Sequence, residues 1–260
     1  MEFTRSTRFA ARFVPLASAG STNDELARRA REGSRDDWPE FSVVVTDTQT
    51  AGRGRLGRAW TAPPGTMLAV SVLLWPRDAG ITRPDSLGWL PLMAGVAMTR
   101  SVRRHGVAAE LKWPNDVLVG DKKLCGILSE LVSDGDGSVV VGAGVNLTLS
   151  EAELPVPTAT SMAIEGATAS ADDVLADYLS ELRELYRGFV AAAGAADEAG
   201  LLDAVSSACS TLGQTVRVEL PGRAPLIGVA ESLDTSGRIV VDVDGHRTPV
   251  AAGDVTHLRY

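Results

Sequence analysis

Cysteine is scarce. Cys125 and Cys209 are the only two in 260 residues, too few for a disulfide framework and at no metal-ligand spacing. With no signal peptide to read, this composition leads us to expect a reducing, cytoplasmic compartment. Long apolar runs are missing as well. The longest, around Met67 to Trp75, falls far short of the length a bilayer core demands. Positive charge is in deficit: 25 Lys and Arg stand against 33 Asp and Glu, a formal net charge of -8. That balance disfavours non-specific attraction to nucleic acid. No Gly-Lys-Ser/Thr phosphate loop is present either. What remains is an ordinary globular composition, 45% hydrophobic and 22% charged. The length suits one large domain, or one large domain with a small one attached.

Against this acidic background one stretch stands out, Gly52-Arg-Gly-Arg-Leu-Gly-Arg58, followed closely by Trp60. Glycine permits tight turns and close approach to a ligand. Arginine offers a planar donor fork suited to carboxylate or phosphate. A bland turn needs one glycine and no repeated cation. The pattern points to a loop folded around an anion. Gly52, Gly54 and Gly57 also match the spacing of the dinucleotide fingerprint, but that motif must open a helix, and Pro63-Pro64-Gly65 interrupts too soon. A strand-loop-strand arrangement is expected instead, from Phe41–Thr46 to Thr66–Trp75.

The rest of the chain supplies support and further polar groups. Ser21-Thr22-Asn23, with Asp24 and Glu25, opens a helix to about Arg31. These residues read either as caps or as a polar cluster at a helix N-terminus that holds a ligand. An apolar helix spans Leu90 to His105. Lys112 follows in a short strand ended by Trp113-Pro114-Asn115-Asp116. It is either a snorkelling edge lysine or a point charge aimed into a pocket. A hairpin over Asp116–Val119 and Leu124–Val132 is broken at Gly126, where a bulge or a close backbone approach is expected. Gly142 and Gly144 thin the next strand, Ser138–Leu147, where something can lie against the sheet. Asn146 is a strand-ending turn residue or a polar reader. A loop over 150–171, a helix from Ala171 to about Ala193 and a shorter one over Glu198–Cys209 follow. From Thr215 only short strands remain, a small barrel-like appendage with turns at Pro221-Gly222 and Asp244-Gly245.

In order and spacing, these motifs resemble the biotin protein ligases. The residues carrying the likeness are Ser21-Thr-Asn23, Gln49 to Trp60, Lys112 to Asp116, Lys123 to Glu130 and Gly142 to Asn146. The resemblance implies an α+β fold. A mixed β-sheet backed by helices, like that of class II aminoacyl-tRNA synthetases, forms a catalytic domain (1–210), and a small SH3-like β-barrel occupies 211–260. It implies ATP-dependent formation of biotinyl-5′-AMP, then transfer of biotin to a lysine of a biotin carboxyl carrier protein domain of acyl-CoA carboxylases. Arg53 and Arg55 would cover the adenylate, and Lys112 would sit by the biotin carboxylate and α-phosphate. Ser21, Thr22 and Gln49 would bind the biotin head group, with Asn23 beside them. Gly52, Gly54, Arg58 and Gly126 would complete the ligand site. Trp60 and Trp113 would give apolar cover, and Asn146 would lie near adenine or the phosphates. Mg²⁺ would accompany ATP, with no protein metal cluster. About 20 residues precede Ser21, too few for a winged helix, so no DNA binding is expected. A monomer or weak homodimer is expected. A lipoate or octanoate ligase of the same fold, or a non-catalytic biotin-binding regulator, are the competing readings.

Overall fold

The computed structural model describes residues 2–132, 137–220, 224–251 and 253–258. The turn that Asp134-Gly-Asp-Gly137 leads one to expect before Ser138 lies partly outside them, and the turn at Pro221-Gly222 wholly outside. Runs rich in valine form the centre. In β2 (Ser42–Thr46) and β3 (Met67–Leu74) every residue is buried, because both faces of these strands are covered. Together with β1 (Arg12–Pro15), β4 (Ala109–Lys112), β5 (Asp116–Val119), β6 (Lys122–Leu131) and β7 (Val139–Asn146) they make one seven-stranded sheet. Its order is β1-β2-β3-β7-β6-β5-β4. β1 runs parallel to β2 and every other pair is antiparallel, so the sheet is mixed. β1 is not legible in the sequence: four residues are too short a run to show alternation.

Alternation along the strands divides the apolar residues between two cores. Val43, Val45, Leu68, Val70, Val72, Val141 and Val145 point to the side covered by α2 (Trp89–Arg104) and α3 (Ala171–Ala191). Val44, Leu73 and Val140 point the other way, to Leu26 and Ala30 of α1 (Thr22–Glu32). α1 covers only part of this second face. The uncovered remainder holds the site.

After α4 (Leu201–Ala208) the architecture changes to strands alone: β8 (Thr215–Glu219), β9 (Leu226–Leu233), β10 (Ile239–Val243), β11 (His246–Val250) and β12 (Asp254–His257). They form an antiparallel sheet in the order β11-β10-β9-β8-β12. Among the described residues no pairing joins β11 to β12. The sheet is consistent with an SH3-like unit but closes no barrel, which corrects the expected shape. Two tryptophans bolt it to the larger unit. Trp89 Nε1 donates to the Thr235 carbonyl at 2.9 Å, and Trp113 Nε1 donates to that of Gly237 at 3.0 Å.

Candidate active site

Strand register sets the floor of the site. Lys112 pairs with Asp116, Asp116 with Gly126, Gly126 with Gly144, Gly144 with Ala69 and Ala69 with Thr46. One row across the sheet thus begins with two charged residues and continues through three of the smallest side chains. The space so left is a cavity of about 490 Å³. Trp60 lies on this floor. A Cβ at Gly144 would meet its ring at 2.8 Å, and one at Gly142 would meet Asn23 Oδ1 at 2.2 Å. The thinning of β7 therefore has the expected reason: two side chains lie flat against it.

The start of α1 supplies one wall. Ser21 is the N-cap and accepts from the Asp24 N–H at 3.4 Å, yet it also lines the cavity. The capping and ligand readings thus describe the same residue. The Thr22 N–H donates to Gln49 Oε1 at 2.9 Å. Ser71 Oγ lies 2.8 Å from Thr22 Oγ1 and 2.6 Å from Asn23 Oδ1. Asn23 Nδ2 donates to the Leu128 carbonyl at 3.1 Å and to Glu130 Oε2 at 2.8 Å. Small hydroxyl and amide groups are locked together there, and Thr22, Asn23 and Gln49 among them line the cavity.

The glycine–arginine loop crosses the opening. An isolated bridge pairs Arg53 with Ala59, and the Gly54 N–H donates to the Arg58 carbonyl at 2.6 Å. At the loop tip Leu56 takes a left-handed φ of 55° and stands in solvent. The arginines anchor it at both ends. Arg53 pairs with Asp24 of α1 and with Glu130 of β6, the latter at 3.0 Å. Arg55 donates to Asn115 Oδ1 at 2.9 Å and to the Gly253 carbonyl at 3.4 Å. Arg58 pairs with Asp254 of β12. Burial pulls the Arg55 pKa down, opposed by Asp254 and Asp116. Gly52 is the one expected site residue outside the cavity lining: it packs behind it, under the Trp60 carbonyl.

Two lysines face the floor. Burial lowers the pKa of Lys112, opposed by the nearby Asp116. Lys112 makes no ion pair among the described residues. Lys123 pairs with Asp116 at 2.6 Å and lies 5.8 Å from the centre of the Trp60 ring. Thr22, Asn23, Gln49, Gly54, Trp60, Trp113, Gly126 and Asn146 all line the same cavity, as does Ser21. Asn146 is satisfied by donating to the Thr160 carbonyl at 2.8 Å, which holds the segment carrying Val156, Thr158 and Ala159 as the far wall. Lys123, Asn115 and Glu130 entered the sequence reading only as parts of the motifs that carry the likeness, with no site role, and Asp254 did not enter it. Lys123 could have been found as a second lysine beside a strand glycine. Asp254 had no local signal, since its partner lies 196 residues away.

Residues 17–146 match the biotin/lipoate A/B protein ligase family. The chain is 38% identical to the biotin--[acetyl-CoA-carboxylase] ligase of Mycobacterium tuberculosis, over 94% of this chain and 88% of that one. It is 31% identical to the protein of the same name from Paracoccus denitrificans, over 92% of this chain and 98% of that one. Among solved structures, the biotin protein ligase from Aquifex aeolicus in complex with biotin and ATP matches at a TM-score of 0.76. The identity is 25%, over 96% of this chain and 100% of that chain.

Proposed function

Because this chain belongs to the biotin/lipoate A/B protein ligase family, we infer that it is an ATP-dependent biotin–protein ligase. It activates biotin as biotinyl-5′-AMP and transfers the biotinyl group to a lysine of a biotin carboxyl carrier protein. A biotin carboxylate oxygen attacks the α-phosphorus of ATP and pyrophosphate leaves. The carrier amine then attacks the acyl carbon of the mixed anhydride, AMP leaves and the amine loses a proton. The nucleophiles come from the substrates, so the protein's task is to hold anions together and exclude water.

The observation that carries this reading is the meeting of the arginine loop, Lys112 and the Ser21–Thr22–Gln49 cluster on one cavity. The polar cluster takes the biotin head group, with Asn23 fixing its geometry. Lys112, partly buried and without an ion pair among the described residues, faces the carboxylate and α-phosphate and stabilises charge as it builds. Lys123 shares that task from the other side of Asp116. Arg53 and Arg55 cover the adenylate, with Gly54 at the crossing of the loop, and Arg58 ties the loop to β12. Trp60 and the glycine floor cover the apolar part of biotin. Asn146 and the wall it holds lie toward the nucleotide.

Mg²⁺ is expected to travel with ATP. Among the described residues no three or more His, Cys, Asp and Glu stand together as a candidate metal cluster. The ion would be held mainly by the phosphates and water, which suits its preference for keeping several waters. The carrier is proposed to be the biotin domain of an acyl-CoA carboxylase, met by a monomer or weak dimer in the cytoplasm. The net charge of -8 argues against DNA as a partner.

Transfer of labelled biotin to a purified carrier domain tests the assignment. Wild type should label the carrier only with ATP present, and octanoate or lipoate should not substitute. Lys112→Ala should lower pyrophosphate release by about 10²–10³-fold, as loss of one preorganised charge stabiliser does. Wild-type rates in that variant would remove Lys112 from the mechanism.

A further inference from the structure

Glu130 has no part in the scheme above, yet it joins two groups that do. Its carboxylate takes the Arg53 guanidinium with both oxygens, Nη1 to Oε1 at 3.0 Å and Nη2 to Oε2 at 3.1 Å. Oε2 also accepts from Asn23 Nδ2 at 2.8 Å. From Asn23 the polar contacts continue through Ser71 to Thr22 and then to Gln49. A chain of contacts therefore runs from the loop across the opening to the far end of the polar wall. Asp24 also pairs with Arg53, but among the described residues its carboxylate makes no hydrogen bond to the Asn23 side chain.

This ion pair is a poor stabiliser of the fold. The Arg53 and Glu130 side chains are 43% and 32% exposed, and exposed pairs contribute about 0–1 kcal/mol. Its geometry is nonetheless specific: a planar fork on a carboxylate fixes both direction and distance. We propose that Glu130 is a positioning residue, which sets Arg53 over the cavity and holds Asn23 in the biotin wall, so that retention of the adenylate and affinity for biotin share one carboxylate. This rests on the ligase reading above.

Two variants separate the two duties. Glu130→Gln keeps an oxygen that can accept from Asn23 but loses the charge facing Arg53. Glu130→Ala loses both. The readouts are the KM for biotin in pyrophosphate release, and the rate at which labelled biotinyl-AMP escapes into solution when no carrier is present. Glu130→Gln should keep the biotin KM within about twofold while escape rises about tenfold, the usual scale for a charge-assisted hydrogen bond. Glu130→Ala should show the same escape and a biotin KM raised about tenfold. Asp24→Asn, whose side chain pairs with Arg53 alone among the described residues, should raise escape and leave KM alone. Thermal melts of all three should overlay wild type. Unchanged escape in Glu130→Gln would overturn the proposal. So would identical KM values in the two Glu130 variants, or losses that track melting temperature. Failure of wild type to form any biotinyl-AMP would instead refute the ligase reading, which keeps the two failures distinct.

Discussion

The two faces of the large sheet are made by the same strands and do opposite things. On β7, Val139, Val141, Ala143 and Val145 point into the core under α2 and α3, while Gly142, Gly144 and Asn146 point to the cavity. On β3 the neighbours Leu68 and Ala69 divide in the same way. The core face is filled to contact, so its residues need only be apolar and of the right size. The cavity face is emptied by small side chains and then partly refilled by Trp60 and Asn23, which arrive from elsewhere in the chain. Apolar packing therefore concentrates on one face and the candidate site on the other, although the residues alternate along one backbone.

Substitutions on the two faces should separate these properties. The largest effect is expected on the core face. Leu68 is wholly buried, and Leu68→Ala should lower unfolding free energy by about 2–5 kcal/mol. Biotin affinity per folded molecule should hold. Urea melts and ligand titration at low temperature check this, and an affinity loss as large as the stability loss would erase the contrast between faces.

A smaller effect on the core side comes from acid. Asp172, at the start of α3, is desolvated by burial, which would raise its pKa. Hydrogen bonds from the Ser6 hydroxyl and from the backbone N–H groups of Arg5, Ser6 and Thr4 outweigh this and bring the pKa down from 3.8 to about 2. A depressed carboxylate stabilises the fold above its unfolded pKa, and that contribution disappears as pH falls from about 4 to about 2. Wild type should lose about 2 kcal/mol over this window on this account, and Asp172→Asn should lose less. Parallel acid-melting curves for the two proteins would show that Asp172 has no such role.

The smallest effect should appear on the cavity face. Gly144→Ala puts a Cβ 2.8 Å from the Trp60 ring, which must shift. Biotin affinity should fall by about tenfold with stability changed by less than about 1 kcal/mol, because the ring has room on the cavity side. A variant that melts early but binds normally would mean that the floor is ordinary core.

Much of this division can be read from the chain. Alternation of valine with glycine in 139–146 already distinguishes two faces, and the arginine–glycine loop announces an anion without any structure. Lys112 is equally visible, as a lysine where apolar neighbours are expected. Other parts cannot be seen. Lys123 lies between the two expected hairpin strands with no local sign of a site, and only strand pairing brings it beside Asp116. Arg53 and Arg58 read as cations free to meet a ligand. In the fold each already has a carboxylate, supplied by α1 and β6 in one case and by β12 in the other. Closure of the expected barrel is hidden for a related reason. Strand periodicity counts strands, but closure depends on whether the two edge strands meet, and among the described residues β11 and β12 do not pair.

By itself the sequence determined the elements and the type of chemistry, because helix and strand periods, caps and residue charge act over a few neighbours. Register across seven strands, the placing of Trp60 on a glycine floor and the pairing of loop arginines with distant carboxylates were decided only by tertiary structure. The arginine–carboxylate pairs alone join groups 29 to 196 residues apart in the chain, whose meeting no local pattern encodes.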